Sequence, residues 1–204
     1  MNRYLILIAG SPATGKSYLV HEIQKILPSI FILTPDELKE ILADSVGFNN
    51  LTEKAQLEEE VWSNYYRILS IYMQLGKQFI LSEYPFSDKQ KDHLKKLAET
   101  YEYQVITIRL RAEFETLWER RKLRDRQGDR HLSHIMTHYH HGDELADRTQ
   151  ADNLIDKADF GKVVSDRSYD QFVLGEVWDF DVTDFSTVDY GELLNYLKQL
   201  TSGA

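Results

Sequence analysis

Residues 4–17 read YLILIAGSPATGKS. Tyr4 to Ala9 is a continuous apolar run, the pattern of a central strand buried on both faces of a parallel sheet. It passes directly into Gly10-Ser11-Pro12-Ala13-Thr14-Gly15-Lys16-Ser17, which fills every fixed position of G-x-x-x-x-G-K-[ST]. The two glycines let the backbone turn so that successive N–H groups converge on an anion. From Tyr18 to Leu27, the residues Leu19, Ile23, Ile26 and Leu27 share one helical face, and Pro28 stops the helix. A strand, a glycine-rich turn and a helix N-terminus together form a phosphate nest. In such a nest residues 10–18, Tyr18 included, surround the phosphates of a nucleotide. Lys16 reaches the β- and γ-phosphates, and Ser17 ligates Mg2+. A bare glycine-rich turn would not need all four fixed positions between a strand and a helix.

Downstream, short apolar runs alternate with helical patterns. Strands are expected at Ile30 to Leu33, Phe79 to Leu81, Gln104 to Leu110 and within Val173 to Val182. Helices are expected from Pro35 to about Ala43, from a Thr52 cap to Leu75, from a Ser87–Gln90 capping box, from about Ala112, and from a Ser186 cap to Leu200. Asp44 to Asn50 reads as a polar loop. The alternation predicts an α/β, three-layer fold with a five-stranded parallel sheet. Residues 1–204 read as a single domain. The polar stretch of about 122–170, rich in Arg, His and Asp, departs from the alternation and reads as a helical, mobile lid.

Length and composition set the outer bounds. The chain has 204 residues, 42% hydrophobic and 28% charged, which is ordinary for a globular protein. With 24 Lys+Arg against 33 Asp+Glu, the net charge of −9 argues against nucleic acid as a partner. The absence of Cys excludes disulfides, thiolate zinc sites and Cys nucleophiles. No apolar run is long enough to span a bilayer or form a signal peptide, so a cytoplasmic location is expected. Asn50-Leu51-Thr52 matches a glycosylation sequon and Asp159-Phe160-Gly161 reads DFG; neither has its supporting context. Five of the seven His lie between 131 and 141, and His134, His138 and His141 would share a face in a helix. A polar segment is expected there rather than zinc.

A phosphate nest alone fits GTPases, motor ATPases and small-molecule kinases. No N/T-K-x-D follows a strand, and the chain is short for a motor, which favours a phosphotransferase. The chain resembles the polynucleotide-kinase-like and zeta-toxin-like P-loop kinases, often described as AAA-family ATPases. The resemblance rests on GSPATGKS at 10–17, TPDELK at 34–39, ILSEYPFS at 80–87 and the Arg-rich stretch from Arg120 to His134. A weaker match is DVTDF at 181–185.

The resemblance implies an ATP- and Mg2+-dependent kinase with Asp36 as general base at the end of strand two. Glu83, at the end of strand three, would assist Ser17 at the metal or orient the acceptor. Arg120 and Arg124, spaced i, i+4, would contact phosphate. Lys39 stands where the nucleic-acid kinases carry Arg, and Ser82-Glu83-Tyr84 replaces their Asp-x-Thr, which favours a small-molecule acceptor. Two other readings remain. One is a nucleoside, nucleotide or polynucleotide kinase; the other is a nucleotide-binding regulatory or toxin–antitoxin module with little turnover. The sequence leaves the acceptor, ATP versus GTP and the oligomeric state open.

Overall fold

In the computed structural model, which describes residues 2–202, five parallel strands form one sheet in the order β2-β3-β1-β4-β5. They are β1 (Tyr4–Ala9), β2 (Phe31–Ile32), β3 (Phe79–Glu83), β4 (Gln104–Arg111) and β5 (Glu176–Asp181). β1 is the centre, with Leu5 opposite Ile80 on one side and Val105 on the other. Its run is apolar throughout because both faces are covered. Tyr4, Ile6 and Ile8 pack with Leu19 and Ile23 of α1 (Lys16–Ile26) and with Leu193 and Leu197 of α7 (Gly191–Ser202). Leu5, Leu7 and Ala9 pack with Tyr65, Leu69 and Met73 of α3 (Leu51–Gln74) and Leu94 of α4 (Asp88–Thr100). All six β1 residues are buried. The expected three-layer α/β architecture is what the chain adopts.

Several boundaries differ from the sequence reading. α2 (Pro35–Val46) runs three residues beyond Ala43, so Asp44 is helical rather than in a loop; Gly47, at φ 74°, ends it. Asn50, not Thr52, caps α3, because its side-chain oxygen accepts from the Glu53 N–H at 3.0 Å, two residues earlier. The Ser87–Gln90 capping box is present. Ser186 does not start the last helix. Asp184 captures both the Ser186 N–H and its hydroxyl in a single-turn 3-10 helix, and α7 begins five residues later, at Gly191.

Residues 122–170 hold the end of α5 (Phe114–Asp125), two single-turn 3-10 helices, α6 (Lys157–Arg167) and the start of a third 3-10 turn at Tyr169. The stretch from 131 to 141 is not a helix beyond Leu132–His134, so His134, His138 and His141 do not share a helical face. They face different partners. His134 bonds Glu40 (2.7 Å), while His138 and His141 lie near Asp152 (3.6 Å) and Asp44 (3.5 Å). Among the described residues, no group of three or more His, Cys, Asp or Glu could hold a metal ion, and no helix is long and apolar enough to cross a membrane.

In this region Phe160 packs on Phe114 and Trp118 of α5, and other buried apolar side chains form a core shared with the first half of the chain. Leu132, Ile135, Tyr139 and Ala151 pack on Ala43 and Phe48. Phe48 and Tyr139 exchange backbone hydrogen bonds in an isolated antiparallel bridge. Lys54 of α3 reaches across to donate to the Met136 carbonyl at 3.0 Å, and burial lowers its pKa to about 8.

Candidate active site

The carboxyl ends of β1, β2 and β3 open into a cavity of about 520 Å3. Its floor is the turn after β1. Gly10 and Gly15 adopt φ of 138° and 82°, and a Cβ on Gly10 would meet the Leu110 carbonyl oxygen at 2.3 Å. Only glycine fits between the loop and β4. Ala13 also sits at positive φ (72°), a left-handed conformation costing an L-residue about 1–2 kcal/mol. The loop is held from beneath by Thr14, whose buried hydroxyl donates to the Ser11 carbonyl at 2.9 Å. Gly15 is the N-cap of α1; no side chain caps this helix, and no acidic residue lies in its first turn. Its leading N–H groups and positive dipole end therefore suit an anion.

Ala13, Gly15, Lys16, Ser17 and Tyr18 line the cavity. Gly10, Ser11, Pro12 and Thr14 do not; they shape the loop from behind. The Lys16 ammonium curls back onto the loop, donating to the carbonyls of Gly10 (3.2 Å) and Ser11 (3.1 Å). Burial lowers its pKa to about 8, with the Glu83 carboxylate opposing that shift. The Ser17 hydroxyl donates to Glu83 Oε1 at 2.7 Å, so the two expected metal ligands are adjacent. Burial raises the Glu83 pKa, against the pull of Lys16 and Ser17. A carboxylate held in a desolvated position beside a hydroxyl fits a hard divalent cation, which would compensate the charge.

Asp36 lines the same cavity from the first turn of α2. Thr34 caps that helix by accepting from the Glu37 N–H (3.2 Å), and Pro35 fixes its first turn. The carboxylate is thereby aimed from a rigid helix start. It is near enough for its charge to act on Lys16, Glu83 and Arg130. Lys39, one turn on, lies outside the main cavity and pairs with Glu58 of α3.

The two arginines of α5 separate in role. Arg120 donates to the carbonyls of Val182 (2.7 Å) and Thr183 (2.8 Å), and its plane covers the Phe185 ring at 3.6 Å. It is tied to the loop after β5. That loop also borders an adjoining apolar recess of about 390 Å3, lined by Tyr18, Phe185, Val188 and Tyr190. Arg124 faces the P-loop side, where its charge acts on Lys16.

Two residues that helical spacing did not single out complete this wall. Arg130 lines the cavity, and burial, reinforced by Arg124, lowers its pKa to about 10. Its Nε is buried without a hydrogen-bond partner. Asp125, buried, accepts from Arg121 (3.0 Å) and Arg124 (3.2 Å) and lies 3.7 Å from Arg130. One carboxylate thus orients three guanidinium groups. The local sequence showed an Arg-rich cluster, but Arg130 lies beyond the turn that ends α5 and has no fixed phase with Arg124.

A family model described as an AAA domain (AAA_33) matches residues 5–140. Among solved structures, a candidate kinase from Chloroflexus aurantiacus is 24% identical, with a TM-score of 0.74 over 98% of both chains. The tunicamycin resistance protein of Deinococcus radiodurans is 14% identical, with a TM-score of 0.54 over 98% of this chain and 96% of that one. A chain of the Pnkp1/Rnl/Hen1 RNA repair complex is 13% identical, with a TM-score of 0.56 over 85% of this chain and 47% of that one. A search of curated proteins finds no match. At these identities the structural likeness is one of fold, a P-loop-kinase-like arrangement around a five-stranded parallel sheet. The family match runs from β1 through the P-loop and α5 to residue 140, and the chain belongs to this AAA domain family.

Proposed function

We propose that the protein is a kinase that transfers the γ-phosphoryl group of ATP to a hydroxyl of a small molecule. The observation that carries this reading is the convergence of Lys16, the Ser17–Glu83 pair and Asp36 on one cavity at the carboxyl ends of three adjacent strands.

In this reading, the nest of residues 10–18 and the Lys16 ammonium hold the β- and γ-phosphates. The base rests in the apolar recess beside Tyr18, Phe185 and Tyr190, against the side on which Arg120 is anchored. Ser17 and Glu83 would hold Mg2+, which supplies charge neutralisation at the phosphate oxygens when bound. The acceptor oxygen attacks the γ-phosphorus, the bond to the bridging oxygen of ADP breaks, and Asp36 takes the hydroxyl proton. Arg124 and Arg130, oriented by Asp125, face the transferring oxygens and stabilise their spread charge. Transfer of label from [γ-32P]ATP to acceptors in a metabolite set tests the reaction. ATP turnover unaffected by every acceptor would instead favour a regulatory nucleotide-binding module.

The low pKa of Lys16 yields a measurable consequence. In the free protein Lys16 loses its proton near pH 8. Phosphate oxygens beside it favour the charged form and raise that pKa on binding. Nucleotide binding should therefore take up almost no proton at pH 7, about half a proton at pH 8 and nearly one at pH 9. Affinity should fall roughly tenfold per pH unit above 8, until the pKa of the complex is reached. Calorimetry in buffers of different ionisation enthalpy reads this directly. Zero uptake at all three values would separate Lys16 from the phosphates.

We further propose that residues 122–170 act as a lid. His131, His134 and Tyr139, by their side chains, and Met136, by its carbonyl, fasten this region to α2 or α3. Nucleotide would add contacts to Arg124 and Arg130 from the opposite side. With a non-hydrolysable ATP analogue, amides from about 122 to 150 should gain exchange protection beyond that of the P-loop. High protection without nucleotide would make the region a fixed wall.

A further inference from the structure

A second cavity, of about 480 Å3, lies on the far side of Tyr84 from the P-loop. α3 forms one wall with Glu58, Glu59, Trp62 and Tyr66. The turn after β3 and α4 form the next with Tyr84, Lys89 and His93. The connection from α6 to β5 closes it with Arg167 and Tyr169. Of these residues only Tyr84 also lines the P-loop cavity. Between the two cavities is a gap of about 20 Å3, walled by Asp36, Glu58, Trp62 and Tyr84. The gap has room for about one water-sized group, such as the hydroxyl at the tip of an arm, and not for a ring. The proposed base therefore stands where such an arm would emerge.

Resting on the phosphotransfer reading above, we propose that the second cavity binds the acceptor, and that the acceptor is a neutral, sugar-bearing small molecule. Three features select this class. The volume suits a ligand of one or two rings. The aromatic side chains hold one another in place. Trp62 meets Tyr84 edge-to-face at 4.9 Å and 86°, and Tyr66 stacks on His93 at 4.6 Å. Such a pre-set aromatic wall takes the apolar face of a sugar ring at little ordering cost.

Charge is the third feature. Glu58 and Glu59 occupy one wall, and Lys89 and Arg167 the others, so the formal charges of the acids and bases cancel. Glu58 is already engaged by Lys39. A free anion would face the α3 carboxylates, and a polycation would face Lys89 and Arg167. A ring of hydroxyls can donate to the first wall and accept from the second.

The experiment uses the full chain with [γ-32P]ATP and Mg2+. The four acceptor sets are neutral sugars and glycosides (nucleosides included), sugar phosphates, aminoglycosides and 5′-hydroxyl oligonucleotides. Label should pass to a member of the neutral set. Trp62→Ala should raise the KM for that acceptor about tenfold or more, the loss expected for one buried stacking partner, and Trp62→Phe should restore most of it. The KM for ATP should not move. In parallel, the neutral set at millimolar concentration should quench tryptophan fluorescence in the wild type and not in Trp62→Phe.

Transfer only to a charged set, or a neutral acceptor whose KM ignores Trp62→Ala, overturns the proposal. So does a neutral set giving neither transfer nor Trp62-dependent quenching. In each case, Lys16-dependent ATP binding that persists leaves the nucleotide half of the parent reading standing. Loss of that dependence would sink the parent instead.

Discussion

Replacing Lys16 by Met is expected to weaken ATP–Mg2+ binding by roughly 10- to 100-fold and to reduce phosphoryl transfer by a further 10²-fold or more. The first figure follows from losing one charge-assisted contact, about 1.5–3 kcal/mol. The second follows from removing a fixed positive charge where negative charge develops in the transition state. Methionine keeps most of the unbranched stem and removes only the ammonium. The bonds lost within the protein are those to the carbonyls of Gly10 and Ser11, which are buried behind the loop. Removing the buried ammonium also removes its desolvation cost, so the melting temperature should change by only a few degrees. Calorimetric titration of the variant is decisive: wild-type affinity would mean that the loop does not hold phosphate.

Asp36→Asn should separate chemistry from binding. The two side chains are nearly isosteric, but the amide cannot take a proton. Transfer to a true acceptor should fall about 10²-fold or more, with nucleotide affinity kept. Asp36 also lies in the first turn of α2, where a carboxylate favours the helix dipole by about 0.3–1 kcal/mol. Its loss lowers the melting temperature by only a few degrees in a chain of this size. An unchanged turnover number with that small drop in melting temperature would reduce Asp36 to a dipole partner. Measuring both quantities on one preparation distinguishes the roles.

The site was legible in the sequence to different depths. The residues of the phosphate nest are contiguous, and their chemistry depends on local backbone geometry, so spacing alone located them. Ser17 and Glu83 are 66 residues apart, yet each follows an apolar strand run, and neighbouring parallel strands bring their carboxyl ends together. Arg120 and Arg124 were legible as a face of α5. That both line one cavity while Arg120 is held by the loop after β5, through Val182 and Thr183, was not. Helix starts were legible where a capping box fixes them, as at Ser87. They were misplaced where a nearer side chain competes, as at Asn50 and Asp184.

By itself, the sequence determined the layered α/β fold and the phosphate nest. Both follow from short-range rules: a strand buried on two faces must be apolar throughout, and a backbone that turns around an anion needs glycine at set positions. The tertiary structure alone decided the rest of the site. Asp125 gathers Arg121, Arg124 and Arg130, Lys39 is drawn to Glu58, and α3, α4 and the connection to β5 enclose an aromatic cavity beside Asp36. Apart from Arg121, Arg124 and Asp125, which share α5, these groupings join side chains from separate elements. Their meeting depends on how the helices pack over the sheet, for which no spacing along the chain is a measure.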